Sequence, residues 1–160
     1  MTPFQTYISQ LCTRHKDIRH SADETHFACS ADSAQTVMAQ QLHYPAVFLD
    51  EGDFTIGGET GQMAQRRECS LTFVTHVADS GSSEEVQAAL TMTGRLLLDF
   101  LSKIVSDRRE AKREVRGIQL VGAEAHRVEL EGAGLYGWMF FFANETQLPL
   151  CQTDNSIFDD

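Results

Sequence analysis

Cations are scarce in this chain: thirteen lysines and arginines stand against twenty-three aspartates and glutamates, a net charge of −10. That balance excludes a general nucleic-acid binder, because phosphate contacts need clustered Lys and Arg. No apolar stretch approaches the length of a membrane span. The first residues lack the basic-then-apolar layout of a signal peptide. The four cysteines (Cys12, Cys29, Cys69, Cys151) include no C-x-x-C pair, so a reduced, intracellular protein is expected, although the even count leaves disulfides open by arithmetic.

The spacings that carry chemistry are missing too. None of the six histidines (His15, His20, His26, His43, His76, His126) forms H-x-x-x-H or H-E-x-x-H, which would set two imidazoles on one helical face. Asp50-Glu51-Gly52-Asp53 has oxygen ligands for a hard cation but not the periodicity of a calcium loop, and reads as a solvated turn. Gly57-Gly58-Glu-Thr-Gly61 is followed by no Gly-Lys-Ser/Thr, and reads as a hairpin tip rather than a phosphate cradle. No G-x-S-x-G elbow occurs. The expectation is a protein that is not an enzyme and needs no cofactor or metal, acting by shape and contact.

What is present is an ordered series of segments in one domain of residues 1–145, with 146–160 as a C-terminal arm. Phe4, Tyr7 or Ile8, and Leu11 predict a first helix over Phe4–Lys16. Asp17–Ala39 is irregular, with a short strand at Thr25–Cys29 and a turn or helical start at Ser30–Gln41. Tyr44-Pro-Ala-Val-Phe-Leu49 is an apolar strand, and Pro45 confines its start to an edge or first position. A long Gly-containing tip leads to the return strand Glu68–Val77, where Cys69, Leu71, Phe73, Thr75 and Val77 share one face.

Ser82 and Glu85 have the capping-box spacing and start a helix over Ser83–Val105, which frays through Ser106–Arg116 and stops by Gly117. Val86, Leu90, Leu97, Phe100, Leu101 and Ile104 form its buried stripe, and Gly94 admits a close-packed backbone. Ile118–Leu130 is a strand interrupted at Gly122, and Gly132-Ala-Gly134 turns into the last strand, Leu135–Ala143. That strand is apolar on both sides, which predicts burial on both sides. Another subunit is the expected second cover. Its aromatic run lacks the interleaved cations of a base-stacking platform, so it reads as core, with Trp138 at a rim where its N–H finds a partner. The predicted fold is α+β: a mainly antiparallel sheet of about four to five strands, a long helix across one face and an N-terminal helix.

Seven of the thirteen cations fall between Arg95 and Arg116. They complement the C-terminal end of the long helix, or form a basic patch that meets an acidic surface on another subunit.

The order of these segments resembles the phage tail-terminator (tail-completion) family and the related neck proteins that join head to tail. The likeness covers about 100 residues and rests on order and spacing rather than a diagnostic motif. Asp17–Ala39 is longer than that pattern, and the C-terminal arm has no counterpart in it. The resemblance implies a structural phage or prophage subunit, cytoplasmic during assembly and then part of the virion. It would close into a ring, commonly six-membered, on the end of the tail tube, with tail-tube and neck proteins as partners. It also implies interface roles for Arg108, Arg109, Lys112, Arg113, Arg116 and Trp138. Gly57, Gly58 and Gly61 would lie in an Asp53–Arg67 tip that contacts the tube. Two other classes stay open: a small-ligand-binding or enzymatic intracellular α+β domain, with a pocket between the long helix and the Trp138 strand, and a regulatory adaptor.

Overall fold

The structure, a computed structural model, describes residues 1–29, 42–58, 63–78 and 81–148. Its elements run α1 (Pro3–Arg14), β1 (Phe27–Cys29), β2 (Ala46–Gly57), β3 (Ala64–His76), α2 (Ser83–Arg109), β4 (Ile118–Leu130) and β5 (Leu135–Gln147), with 3-10 turns at Arg113–Val115 and Glu131–Ala133. The five strands form one sheet in the order β1-β2-β3-β5-β4. Only β1 and β2 are parallel; the other pairs are antiparallel. The α+β class, the long helix and the N-terminal helix are as the sequence predicts. The Ser30–Gln41 turn or helical start and Gly61 lie outside the described residues.

Both helices begin at a reciprocal cap, which satisfies two of the N–H groups that a helix start leaves without partners. Thr2 accepts from the Gln5 N–H at 3.1 Å while the Gln5 side chain accepts from the Thr2 N–H at 2.8 Å. Ser82 and Glu85 do the same for α2. Helix α2 runs 27 residues to Arg109, four past the predicted Val105. Its buried line, Leu90, Thr93, Leu96, Leu97, Phe100 and Ile104, recurs every three to four residues and lies on the sheet.

Alternation sorts the sheet's side chains. Val47, Leu49, Leu71, Phe73, Phe140 and Phe142 turn to the helices and join Phe4, Ile8, Leu96 and Phe100 in one core. Phe73 meets Phe100 edge-on at 5.1 Å between centroids, and Phe4 meets Phe142 at 5.7 Å.

Four expectations are corrected. Strand β5 is not buried on both sides along its length: Leu135 and Ala143 on its second face are buried, but Phe141 is 45% exposed, its ring edge against His126. Asp50-Glu51-Gly52-Asp53 is not a turn after the strand but part of β2, where the register slips between Glu51 and Phe54; a bulge absorbs the extra residues. Asp53–Arg67 is not a long free tip, because Phe54–Gly57 pair with Arg67–Ala64 in register. Gly94 admits an indole rather than a backbone: a Cβ there would lie 3.2 Å from Trp138 Nε1.

Candidate functional site: a polar cleft under the sheet extension

Beyond the helices the sheet continues as a three-stranded extension, Phe54–Gly57, Ala64–Arg67 and Asn144–Gln147, held by unbroken ladders. Phe54 and Ile56 stand 51% and 55% exposed on it. Their cross-strand partners are Arg67 and Gln65, so all four side chains share the face that continues from the core. The Arg67 guanidinium sits 5.3 Å from the centroid of the Phe54 ring, a cation–π contact.

Where the extension leaves the body, a cleft of about 660 Å³ opens. Arg67, Gln65, Asn144 and Thr146 come from the sheet, Thr2 and Phe4 from the start of α1, and Arg113, Glu114, Arg116 and Gln119 from the turn and strand that follow α2. Glu51 also lines it and accepts a hydrogen bond from the Thr2 hydroxyl at 3.0 Å, which ties the β2 bulge to the head of α1. Gly117 permits the closure. A Cβ there would run into the Glu145 carbonyl, and its own carbonyl accepts from the Glu145 N–H at 2.8 Å.

The turn carrying Arg113 and Arg116 is fixed from below. Asp107, in the last turns of α2, is 2% exposed as a side chain and accepts from the Tyr7 hydroxyl at 2.9 Å and from Lys103 and Lys112 at 2.5 Å each. Burial alone would push its carboxyl up; the hydrogen bonds from Lys103, Lys112 and Tyr7 outweigh this and hold it at about 2. Burial, then the bond to Asp107, pushes the Tyr7 phenol well up. The bond to Asp107 raises Lys112 as well. Val115, fully buried in the core, pins the same turn from the other side.

The predicted interface residues separate accordingly. Arg113 and Arg116 line the cleft. Arg108 and Arg109 are exposed on the last turn of α2. Lys112, expected to meet a neighbour, is bound within the chain by Asp107 and, at 3.3 Å, by Glu110. Trp138, expected at an interface rim, is turned inward: its N–H donates to the Leu90 carbonyl at 3.0 Å, the hydrogen-bond partner that a half-buried indole needs. The predicted ligand pocket between the long helix and the Trp138 strand would lie against this indole, which packs on α2 at Gly94. Gly57 closes the last ladder pair and Gly58 follows with φ of 116°, a region open to glycine.

Sequence reasoning missed Arg67, Asp107, Tyr7 and the Thr2–Glu51 link. The Thr2-x-x-Gln5 spacing is a legible cap; the others depend on which distant segments meet.

Among the described residues Cys12, Cys29 and Cys69 are unpaired, and burial pushes the Cys69 thiol up to about 12, far from a thiolate nucleophile at neutral pH. The His26 ring lies 2.9 Å from the Pro45 carbonyl through Nδ1, and the His26 N–H donates to His20 Nδ1 at 3.1 Å. No group of three or more His, Cys, Asp or Glu converges as a metal set among the described residues. No helix is long and apolar enough to cross a membrane among those residues. No protein-family model, curated protein or solved structure matches the chain.

Proposed function

We propose that this chain is a structural virion-assembly subunit of the phage tail-terminator or neck kind, joining copies of itself into a ring that caps a tail tube and docks to the head. The observation that carries the reading is the sheet extension. It holds Phe54 and Ile56 exposed on strands whose backbone is fixed by ladders, a rigid apolar surface suited to contact rather than to chemistry.

Helix α2 adds electrical polarity. It carries Glu84 and Glu85 in its first turn and Arg108 and Arg109 in its last, separated by about 36 Å at 1.5 Å per residue. Opposite charges at opposite ends suit a head-to-tail contact, which closes into a ring when its rotation permits.

Light scattering after size-exclusion chromatography tests this. Oligomers are expected that dissociate as salt rises and are lost in Arg108→Glu/Arg109→Glu, with partial recovery when Glu84→Arg/Glu85→Arg is added. A monomer at every concentration and salt would overturn the reading. The ligand-binding alternative keeps one observation in its favour, the polar cleft, and a small-molecule ligand that shifts the melting temperature of a strictly monomeric chain would support it instead.

A further inference from the structure

Two histidines at the head of β1 hold their protons on different nitrogens. The His26 ring lies 2.9 Å from the Pro45 carbonyl through Nδ1, and a carbonyl only accepts, so His26 Nδ1 carries a proton. The His26 backbone N–H donates to His20 Nδ1 at 3.1 Å, so that nitrogen is bare and the His20 proton sits on Nε2. Acid therefore acts on the two rings differently. His26 can take a second proton on Nε2 and keep its bond to Pro45. His20 cannot, because its free lone pair is the one that holds the His26 N–H.

That bond joins three elements. Strand β1 is the outermost strand of the sheet, three residues paired with β2 alone among the described residues. His20 ties its head to α1: the His20 N–H donates to the Cys12 carbonyl at 3.1 Å, and the ring meets Phe27 edge-on at 6.0 Å. The same head is tied to β2, where the His26 carbonyl accepts from the Val47 N–H at 2.8 Å and the Thr25 carbonyl from the His43 N–H at 2.8 Å. His26 is buried, so an N–H that loses its acceptor there has little water to replace it.

No anion shelters a charged His20. Among the described residues the histidines in ion pairs are His15 and His126. The titratable and charged groups around His20 are Cys12 on α1, His26 at the head of β1, His43 beside the His26 ring, and Arg19 and Glu24 in its own loop. Burial, then the adjacent His26 imidazole, lowers His20 from its ordinary 6.5. A group lowered in the folded chain contributes fully above pH 6.5, and that contribution is lost as pH falls through the folded value.

We propose that His20 is an acid-released latch on the edge of the sheet. A proton taken from solvent at Nδ1 sets a donor against the His26 N–H, frees β1 from α1, and loosens the pairing that covers the β2 edge at Val47–Leu49. The inference does not depend on ring formation.

Nuclear magnetic resonance of the full chain tests it. At pH 7 the His20 ring should be neutral with its proton on Nε2. Between pH 7 and pH 5, the protection of the His26 and Val47 amides against hydrogen exchange, corrected for intrinsic rate, should fall about three- to thirtyfold; the upper figure is the most that a group with an ordinary value of 6.5 can supply over that range. Amides within β3 and β5 should keep theirs. His20→Asn places an oxygen where Nδ1 stood and takes up no proton, so its protection should stay level over the same range. His20→Leu should show the loss at both pH values. A proton on His20 Nδ1 at pH 7, protection that does not change with pH in the unaltered chain, or an equal acid loss in His20→Asn would overturn the proposal. Loss at His26 with Val47 unchanged would overturn the release of the strand.

Discussion

At the scale of single residues, the decisive group is Asp107. A carboxylate with almost no exposure is tolerable only because a phenol and two ammonium groups donate to it. Its removal leaves two lysines that reach solvent and one buried hydroxyl without a partner, so Asp107→Ala should cost about 2 kcal/mol in denaturant unfolding. The pH dependence has a definite sign. The folded carboxyl is held at about 2, below its ordinary 3.8, so its contribution is complete above pH 4 and is lost as pH falls towards 2. Tyr7 acts at the other extreme: its folded phenol is raised above the ordinary 10.0, so stability declines as pH rises past that value. Tyr7→Phe should remove that part of the alkaline decline, measured as melting temperature against pH. Ala111 offers an opposite effect, since it sits at φ of 57° in the left-handed region beside this network. Ala111→Gly should raise stability by about 0.5–1 kcal/mol, where a glycine in an ordinary helical position would lower it.

At the scale of elements, the pleat and the helix period made much of the fold legible. The shared face of Cys69, Leu71 and Phe73, the Ser82–Glu85 cap and the interruption of β4 near Gly122 all follow from local spacing, and each is present. What local spacing could not carry was pairing. The acidic run in β2 looks like a turn until its partners on β3 are known, and the supposed long tip becomes ladder once Gly57 is found opposite Ala64. The cleft was half legible. The basic run pointed at Arg113 and Arg116, but Arg67 joins them only through register, and the bond from Lys112 to Asp107 was not legible because it depends on where Tyr7 and the end of α2 meet. Gly137 gives an element-scale test of that register. A Cβ there would meet the Phe73 carbonyl and the Val74 backbone, which no side-chain rotation relieves. Gly137→Ala should therefore destabilise by about 3 kcal/mol in denaturant unfolding, as overpacking of a fixed backbone does. A neutral result would mean that β3 and β5 are paired differently.

At the scale of the whole molecule, the chain separates a packed body from a sheet extension that carries exposed apolar side chains. The body buries one face of the sheet under both helices, while Phe54, Ile56 and the cleft arginines gather at the other end of β2, β3 and β5. In the ring reading, that extension and the two ends of α2 would carry the contacts between copies and with a tube. The most direct measurement is negative-stain electron microscopy of the full chain at high protein concentration and low salt. Closed rings of uniform size, absent from Arg108→Glu/Arg109→Glu, are the result this account predicts; a field of single subunits under the same conditions, unchanged by the reversal, would contradict it.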